Sequence, residues 1–190
     1  MNRAISLWLV ILLSACAGQV TEPSYYLLRG DTDPDSQRLE PSRHFALGSV
    51  SIAPYIDQPG LVLMTGANEM RAARQHLWAE PVHEAVRNLL LREISRTYGE
   101  DLLPLPPRRN ARLINVRIDQ LHGTGDGAAR LVAYWWIGNE NEVEAAYRSA
   151  RTQPLSRDGY AALATALETL LTELAAEIAR GMEKAKSEAE

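Results

Sequence analysis

The chain has 190 residues, of which 46% are hydrophobic and 23% charged, a composition typical of globular proteins and not of disordered ones. Its formal net charge of -4 argues against a nucleic-acid partner, since nucleic-acid recognition begins with a basic patch, and against electrostatic docking on anionic lipid. The single cysteine excludes a disulfide framework within the chain.

The N-terminus predicts a lipoprotein signal peptide over residues 1–15. Arg3 supplies a positive charge, and residues 5–13 form an apolar stretch that is too short to span a bilayer, which requires about 20 residues. The sequence at the end of this stretch resembles a bacterial lipobox, Leu13-Ser14-Ala15-Cys16. This predicts cleavage between Ala15 and Cys16 and lipid attachment at the Cys16 thiol. The alternative is an ordinary secretory signal in which the cysteine is incidental.

A lipidated tether over residues 16–24 would follow the cleavage site. At no more than about 3.5 Å per residue, such a tether holds the domain within about 30 Å of the membrane. The rest of the mature chain is predicted as one domain over residues 25–184 and a charged, frayed tail over residues 185–190. Acylation of the lone cysteine would leave no free thiol for catalysis or metal binding.

The first half of the domain is predicted to consist of strands joined by turns. Stretches that are apolar, aromatic or alternating, bounded by proline and glycine, predict strands over residues 25–28, 47–52, 61–64 and 69–78. The segment Gly66-Ala67-Asn68 predicts a hairpin between the last two of these strands. A polar segment over residues 31–43 predicts a solvent-exposed loop.

Two helices and an antiparallel meander complete the predicted elements. Pro81 opens a helix over residues 81–98, where apolar side chains recur at helical spacing and Gly99 follows the last turn. Short connections join three predicted strands into the meander, over residues 114–118, 131–137 and 143–150. A continuous apolar stripe predicts the second helix over residues 157–183, with Ser156 or Asp158 as its N-cap.

The middle strand of the meander is apolar at both odd and even positions. This pattern predicts a central strand with a packed layer on each side of the sheet. Trp135 and Trp136 are adjacent in this strand and must point to opposite faces, so at least one of them is predicted to belong to the core.

The residues that usually carry chemistry form no recognisable motif. The four histidines form no close metal pair, and His76, Glu80 and His83 would share a helix face only if the helix began before Pro81. The glycines near position 125 lead into a strand, so they are expected to form a turn and not a phosphate-binding loop. Two carboxylates could still meet in three dimensions. We expect no catalytic residue, no metal and no cofactor.

Two short motifs carry a family resemblance, Tyr55-Ile56-Asp57-Gln58-Pro59 and Trp78-Ala79-Glu80-Pro81. With the lipobox, the Tyr25-Tyr26-Leu27-Leu28 start and the long C-terminal helix, they make nearly the whole mature chain resemble the PqiC-type auxiliary lipoproteins of ABC transport systems. The family-marking positions are Tyr55, Asp57, Pro59, Trp78, Glu80 and Pro81. We expect these positions to be structural, with prolines fixing a strand exit, Trp78 packing and Glu80 capping the helix. Direct contact with a partner is the alternative.

The resemblance implies a single α/β domain with a mixed sheet that contains the meander and is packed by two long helices, expected on both faces. It also implies a non-enzymatic lipoprotein on the periplasmic face of the outer membrane. Such proteins work with an MCE-domain protein, which forms a tunnel between the membranes, and with an inner-membrane permease component in moving lipids. Ala17 agrees with outer-membrane delivery, because an aspartate at that position commonly retains lipoproteins in the inner membrane.

The sequence therefore predicts an accessory subunit that docks an MCE-type lipid conduit to the outer membrane. Two alternatives remain open. One is a cell-envelope lipoprotein enzyme acting on cell-wall polymer, and the other is a structural lipoprotein of another envelope assembly, such as lipopolysaccharide export. A homo-oligomer also remains open, because the sequence does not give the number of copies in the assembly.

Overall fold

The structure is a computed structural model that describes residues 22–29, 40–104, 111–139 and 142–188. The predicted signal peptide, Ala15, Cys16 and most of the tether lie outside these residues. So does most of the predicted polar loop at residues 31–43.

Seven strands and two long helices make up the described part of the chain. In order they are β1 (Ser24–Tyr26), β2 (Phe45–Ile52), β3 (Gly60–Gly66), β4 (Glu69–Trp78), α1 (Val82–Tyr98), β5 (Arg112–Gly123), β6 (Ala128–Gly138), β7 (Val143–Pro154) and α2 (Tyr160–Ser187). Strand β4 has the predicted bounds, and the three strands of the meander are longer than predicted. The α/β fold class and the single-domain arrangement are confirmed.

All seven strands belong to one mixed sheet. Its order is β1-β4-β3-β5-β6-β7, and β2 lies beside β5. Strands β5, β6 and β7 form the predicted antiparallel meander, whereas β1 pairs with β4 and β2 pairs with β5 in parallel. The same edge of β5 serves two strands, because β2 pairs with its first part and β3 joins it only at Gly123, opposite Leu63.

Both helices pack on one face of the sheet, so the prediction of helices on both faces is wrong. The two helices contact each other along their length, and α2 also covers β6 and β7. In β6, Trp135 and its odd-numbered neighbours are buried beneath α2, whereas Arg130 and Tyr134 point to the opposite side and are exposed. We call this opposite side the open face.

The apolar pattern of β6 misled the prediction for a physical reason. Val132 is buried on the open face although it is not part of the main core, and Trp136 is half-buried there. Tyrosine and tryptophan combine an apolar ring with a polar group, so they tolerate a half-wet position that a fully apolar residue does not. The expectation that at least one of the two tryptophans is core is confirmed, since Trp135 is 1% exposed.

The start of α2 also differs from the prediction. Its N-cap is Gly159, with a φ of 108°, and not Ser156 or Asp158. The helix begins later than predicted because β7 continues to Pro154, and the chain must turn before Tyr160. Tyr160 then stacks on His76 of β4, with ring centroids 4.3 Å apart.

The end of α2 lies beyond the predicted start of the frayed tail at residue 185. Ala185 is buried, and its carbonyl oxygen accepts a hydrogen bond of 2.9 Å from Nη1 of Arg112. Lys186 lies 3.3 Å from Glu100. The helix therefore stays packed through its last turn and ends at Ser187.

A polar cluster fixes α2 to the sheet. Both carboxylate oxygens of Glu177 accept hydrogen bonds: Oε1 from the indole of Trp135 at 3.0 Å, and Oε2 from Ser149 at 2.9 Å and Arg151 at 2.7 Å. Burial alone would raise the pKa of Glu177, but these hydrogen bonds outweigh it and hold the pKa below its ordinary value of 4.5.

Glu177→Gln should lower the free energy of unfolding by about 2–4 kcal/mol, because the neutral amide loses the ion pair with Arg151 and offers one acceptor oxygen in place of two. Because the pKa of Glu177 is lowered in the folded state, its ionised form stabilises the fold. This contribution to the free energy of unfolding is present above about pH 4.5, the ordinary pKa, and is lost as the pH falls through the lower folded-state pKa. Urea unfolding of the wild type and of Glu177→Gln, at neutral and acidic pH, measures both effects.

The matched control is Glu173→Gln, one turn earlier on the same helix. Glu173 is more exposed and meets only Nη1 of Arg151, at 3.4 Å. Surface pairs of this kind contribute little, so we expect a change of less than about 1 kcal/mol. Equal losses from Glu177→Gln and Glu173→Gln would contradict the assigned role of Glu177.

Candidate functional site

The two family-marking motifs meet beside the start of α1. The backbone amide of Trp78 donates a hydrogen bond of 2.7 Å to the carbonyl oxygen of Pro59, and Gly60 pairs with Leu77 in the register of β3 and β4. An open groove of about 370 Å³ lies between the motifs. Its lining consists of Asp57, Gln58, Pro59, Trp78, Ala79, Glu80, Pro81 and Val82.

The floor of the groove is apolar and fixed. Trp78 is 7% exposed and packs into the main core, as expected, together with the fully buried Val82. Pro59 and Pro81 line the groove from the two motifs, and their rings restrict the backbone of both segments. These contacts give the groove a rigid apolar base.

The groove is lined by two acidic side chains, and a histidine that the sequence analysis considered only as a metal ligand lies beside one of them. Nδ1 of His83 lies 3.1 Å from Oδ1 of Asp57, and its Nε2 lies 3.7 Å from Oε1 of Glu84. The side chains of this trio are about half exposed. The sequence did contain a signal for this contact, because His83 lies in the first turn of α1, directly after the second motif.

Tyr55 does not line the groove. Its hydroxyl donates a hydrogen bond of 3.2 Å to the carbonyl oxygen of Asp119, and its ring lies 6.2 Å from that of His122. Burial raises the pKa of Tyr55, and the charge of Asp119 acts in the same direction, so the hydroxyl remains a donor. Tyr55 therefore attaches the first motif to β5, a structural role.

Glu80 does not cap α1, so that prediction is wrong. The N-cap position is occupied by Pro81, the helix begins at Val82, and no side chain caps it. The carbonyl oxygen of Pro81 accepts the first helical hydrogen bond, 3.0 Å from the amide of Ala85. Glu80 lies before the cap and contributes its charge to the groove instead.

The histidines and carboxylates considered as metal ligands have other neighbours. Nδ1 of His76 lies 2.9 Å from the hydroxyl of Tyr26, and its ring stacks on Tyr160, whereas His83 faces Asp57. Within residues 22–29, 40–104, 111–139 and 142–188, no three histidine, cysteine or acidic side chains are arranged to hold a metal ion.

In the same ranges, neither helix is apolar enough over a sufficient length to cross a bilayer.

Comparison with known proteins adds a family and a set of relatives. The family described as ABC-type transport auxiliary lipoprotein component matches residues 26–179. The chain is similar to the intermembrane transport lipoprotein PqiC of Escherichia coli strain K12 and of Shigella flexneri. Each is 23% identical over 184 residues, which cover 93% of this chain and 97% of the relative.

Two solved structures share the fold. A crystal structure of an uncharacterized protein has a TM-score of 0.73 at 23% identity and covers 85% of this chain and 99% of its own. A protein from Xanthomonas campestris has a TM-score of 0.64 at 16% identity and covers 86% and 99% of the two chains.

Proposed function

We infer a transport role for this protein, because the chain belongs to the family of ABC-type transport auxiliary lipoprotein components. We propose that it is an outer-membrane lipoprotein subunit of an intermembrane lipid transport system and docks an MCE-type conduit there. An inner-membrane permease component would complete the system. The observation that carries the proposal is the similarity to intermembrane transport lipoproteins over 93% of the chain.

The anchor in this proposal is Cys16, with Ala15 as the last residue removed. The signal pattern of residues 1–15 supports it, and Ala17 supports delivery to the outer membrane. The domain would then remain on the periplasmic face of that membrane, held by acyl chains. The anchor brings it within reach of a conduit that spans the periplasm.

The motif groove is the surface that we propose for the partner. Its apolar floor and the acidic side chains of Asp57 and Glu80 fit a partner segment that combines apolar and basic residues. The described residues give Glu80 no structural role, which favours contact with a partner at that position over the capping role expected from sequence.

A photo-crosslinking amino acid at position 80 tests this proposal in intact cells. We expect it to yield a covalent adduct with the MCE-domain protein. The matched control is position 169, an exposed threonine on the outer side of α2. Recovery of no MCE-domain protein from position 80, with the protein still at the membrane, would refute the groove as the contact. An adduct only from position 169 would place the partner on the helices.

The alternative of an enzyme acting on cell-wall polymer needs an acidic pair beside an exposed aromatic ring. Asp57 and Glu80 do line one groove with Trp78. However, Trp78 is 7% exposed and offers no ring face for a sugar, and Asp57 already faces His83. The second alternative is a structural lipoprotein of another envelope assembly. The neighbouring genes distinguish it from a transport subunit, since an adjacent gene for an MCE protein or a permease favours transport.

A further inference from the structure

Five side chains on the open face form a cationic and aromatic cluster. Register places Arg117, Tyr134 and Arg148 directly opposite one another on β5, β6 and β7. On the same face of β6, Trp136 lies two residues after Tyr134, and Arg130 lies four residues before it. We call this set the arginine patch: Arg117, Arg130, Tyr134, Trp136 and Arg148.

The arginine patch carries positive charge in a chain whose net charge is -4. Nε of Arg117 pairs with Oδ1 of Asp119 at 2.8 Å. Arg130 and Arg148 are exposed and form no ion pair with any other described residue. The patch therefore keeps two uncompensated guanidinium groups.

The sequence analysis argued from the net charge of the whole chain that it does not dock on anionic lipid. Docking depends instead on the charge of the one face that meets the membrane.

Exposed apolar side chains extend the patch across the open face. Tyr134 is 39% exposed, and Met70 of β4 and Tyr25 of β1 are 38% and 63% exposed. Met70 pairs with Met64, and Tyr25 pairs with Leu77, on the side of the sheet away from the helices. Tyrosine, tryptophan and arginine suit the headgroup region of a bilayer, because each joins an apolar part to a polar or charged end.

The position of the predicted anchor decides which partner can cover this face. The described chain begins at Glu22, six residues after Cys16, so the connection reaches at most about 21 Å. Four strand spacings separate β1 from β6 in the sheet order, a distance of about 19 Å. The connection is therefore long enough for the open face to lie flat on the bilayer that holds the acyl chains.

We propose that the open face docks on the anionic lipid headgroups of the membrane that holds the anchor, with Arg130 and Arg148 at phosphate groups and Tyr134 and Trp136 at the interface. This inference rests on the proposed lipid anchor. The helices then point away from the membrane.

The test uses the full lipidated protein in phosphatidylcholine vesicles with and without phosphatidylglycerol. An environment-sensitive dye is attached to Tyr134→Cys or, as control, to Thr169→Cys; acylation of the chain's single native cysteine leaves one free thiol. We expect lipid-borne quenchers to quench the dye at position 134 when phosphatidylglycerol is present, and high salt to reduce this quenching. The dye at position 169 should stay in water in both membranes.

A charge-matched pair of double variants isolates the patch. Each arginine near an anionic surface changes the docked-to-undocked ratio roughly fivefold, so Arg130→Glu/Arg148→Glu should lower this ratio at least about tenfold. The control, Arg157→Glu/Arg180→Glu, makes the same change in net charge at exposed positions outside the patch and should leave the ratio unchanged.

Several outcomes would overturn the proposal. If the dye at position 134 is not quenched, or is quenched equally in both membranes, then the open face does not bind anionic lipid. If the dye at position 134 is shielded from water in proportion to the amount of protein on the vesicles and not to phosphatidylglycerol, then the open face contacts another copy or another protein. Flotation with neutral vesicles reports the anchor alone, so its loss counts against Cys16 acylation and the proposed function, separately from the patch.

Discussion

Cys16→Ala should abolish incorporation of labelled palmitate and remove the protein from the outer-membrane fraction. The expected loss is nearly complete, because burial of acyl chains at about 0.8 kcal/mol per methylene supplies most of the membrane affinity. Without acylation, the arginine patch would contribute only about 1 kcal/mol per arginine, which does not retain a protein through fractionation.

Ala17→Asp is the matched control for Cys16→Ala. It keeps the acylated cysteine, so palmitate incorporation should be unchanged, but it introduces the residue that commonly retains lipoproteins in the inner membrane. The two variants thus separate attachment from sorting. Unchanged outer-membrane fractionation of Cys16→Ala would refute the lipobox, whereas unchanged fractionation of Ala17→Asp would refute only the sorting argument.

Local patterns in the sequence predicted the elements of this fold well. The helical spacing after Pro81 and the glycine at position 99 predicted α1 to within one residue, because the apolar face and the left-handed C-cap are both local properties. The turn at residues 66–68 similarly predicted the β3–β4 hairpin. These signals depend on neighbours within a few positions of the chain.

Features that depend on distant parts of the chain could not be predicted in this way. Strands β2 and β3 both pair with β5, at different residues along it, and no local sequence pattern predicts this arrangement. The apolar positions of β6 gave no sign of which face the helices cover. Total charge likewise hid the arginine patch, which exists only because the register aligns Arg117 with Arg148.

The candidate site shows the same division. Two motifs about twenty residues apart were recognised from sequence, but the groove between them arises from the pairing of β3 with β4. The contact of Asp57 with His83 follows from that pairing and from the direction in which α1 leaves the sheet. Residue types were therefore predictable, and their arrangement was not.

Gly181→Val should lower the free energy of unfolding by about 3 kcal/mol or more. Helix propensity alone predicts the opposite, since valine is a slightly better helix former than glycine. Packing decides the sign, because a Cβ at position 181 would lie 2.3 Å from Cη2 of Trp135. The indole cannot easily move away: it stacks on Tyr147 with centroids 4.0 Å apart, and its Nε1 is bonded to Glu177. Overpacking of a fixed core costs about 1–3 kcal/mol, and sometimes more.

A double-mutant cycle with Trp135→Leu tests this explanation by urea unfolding. Trp135→Leu is itself destabilising, but the smaller side chain leaves room above position 181. Adding Gly181→Val in that background should therefore cost less than about 1 kcal/mol, which gives a coupling energy of at least about 2 kcal/mol. A stable Gly181→Val single variant, or equal losses in the two backgrounds, would show that the indole does not press on α2. The glycine would then be required for some reason other than the close approach of Trp135.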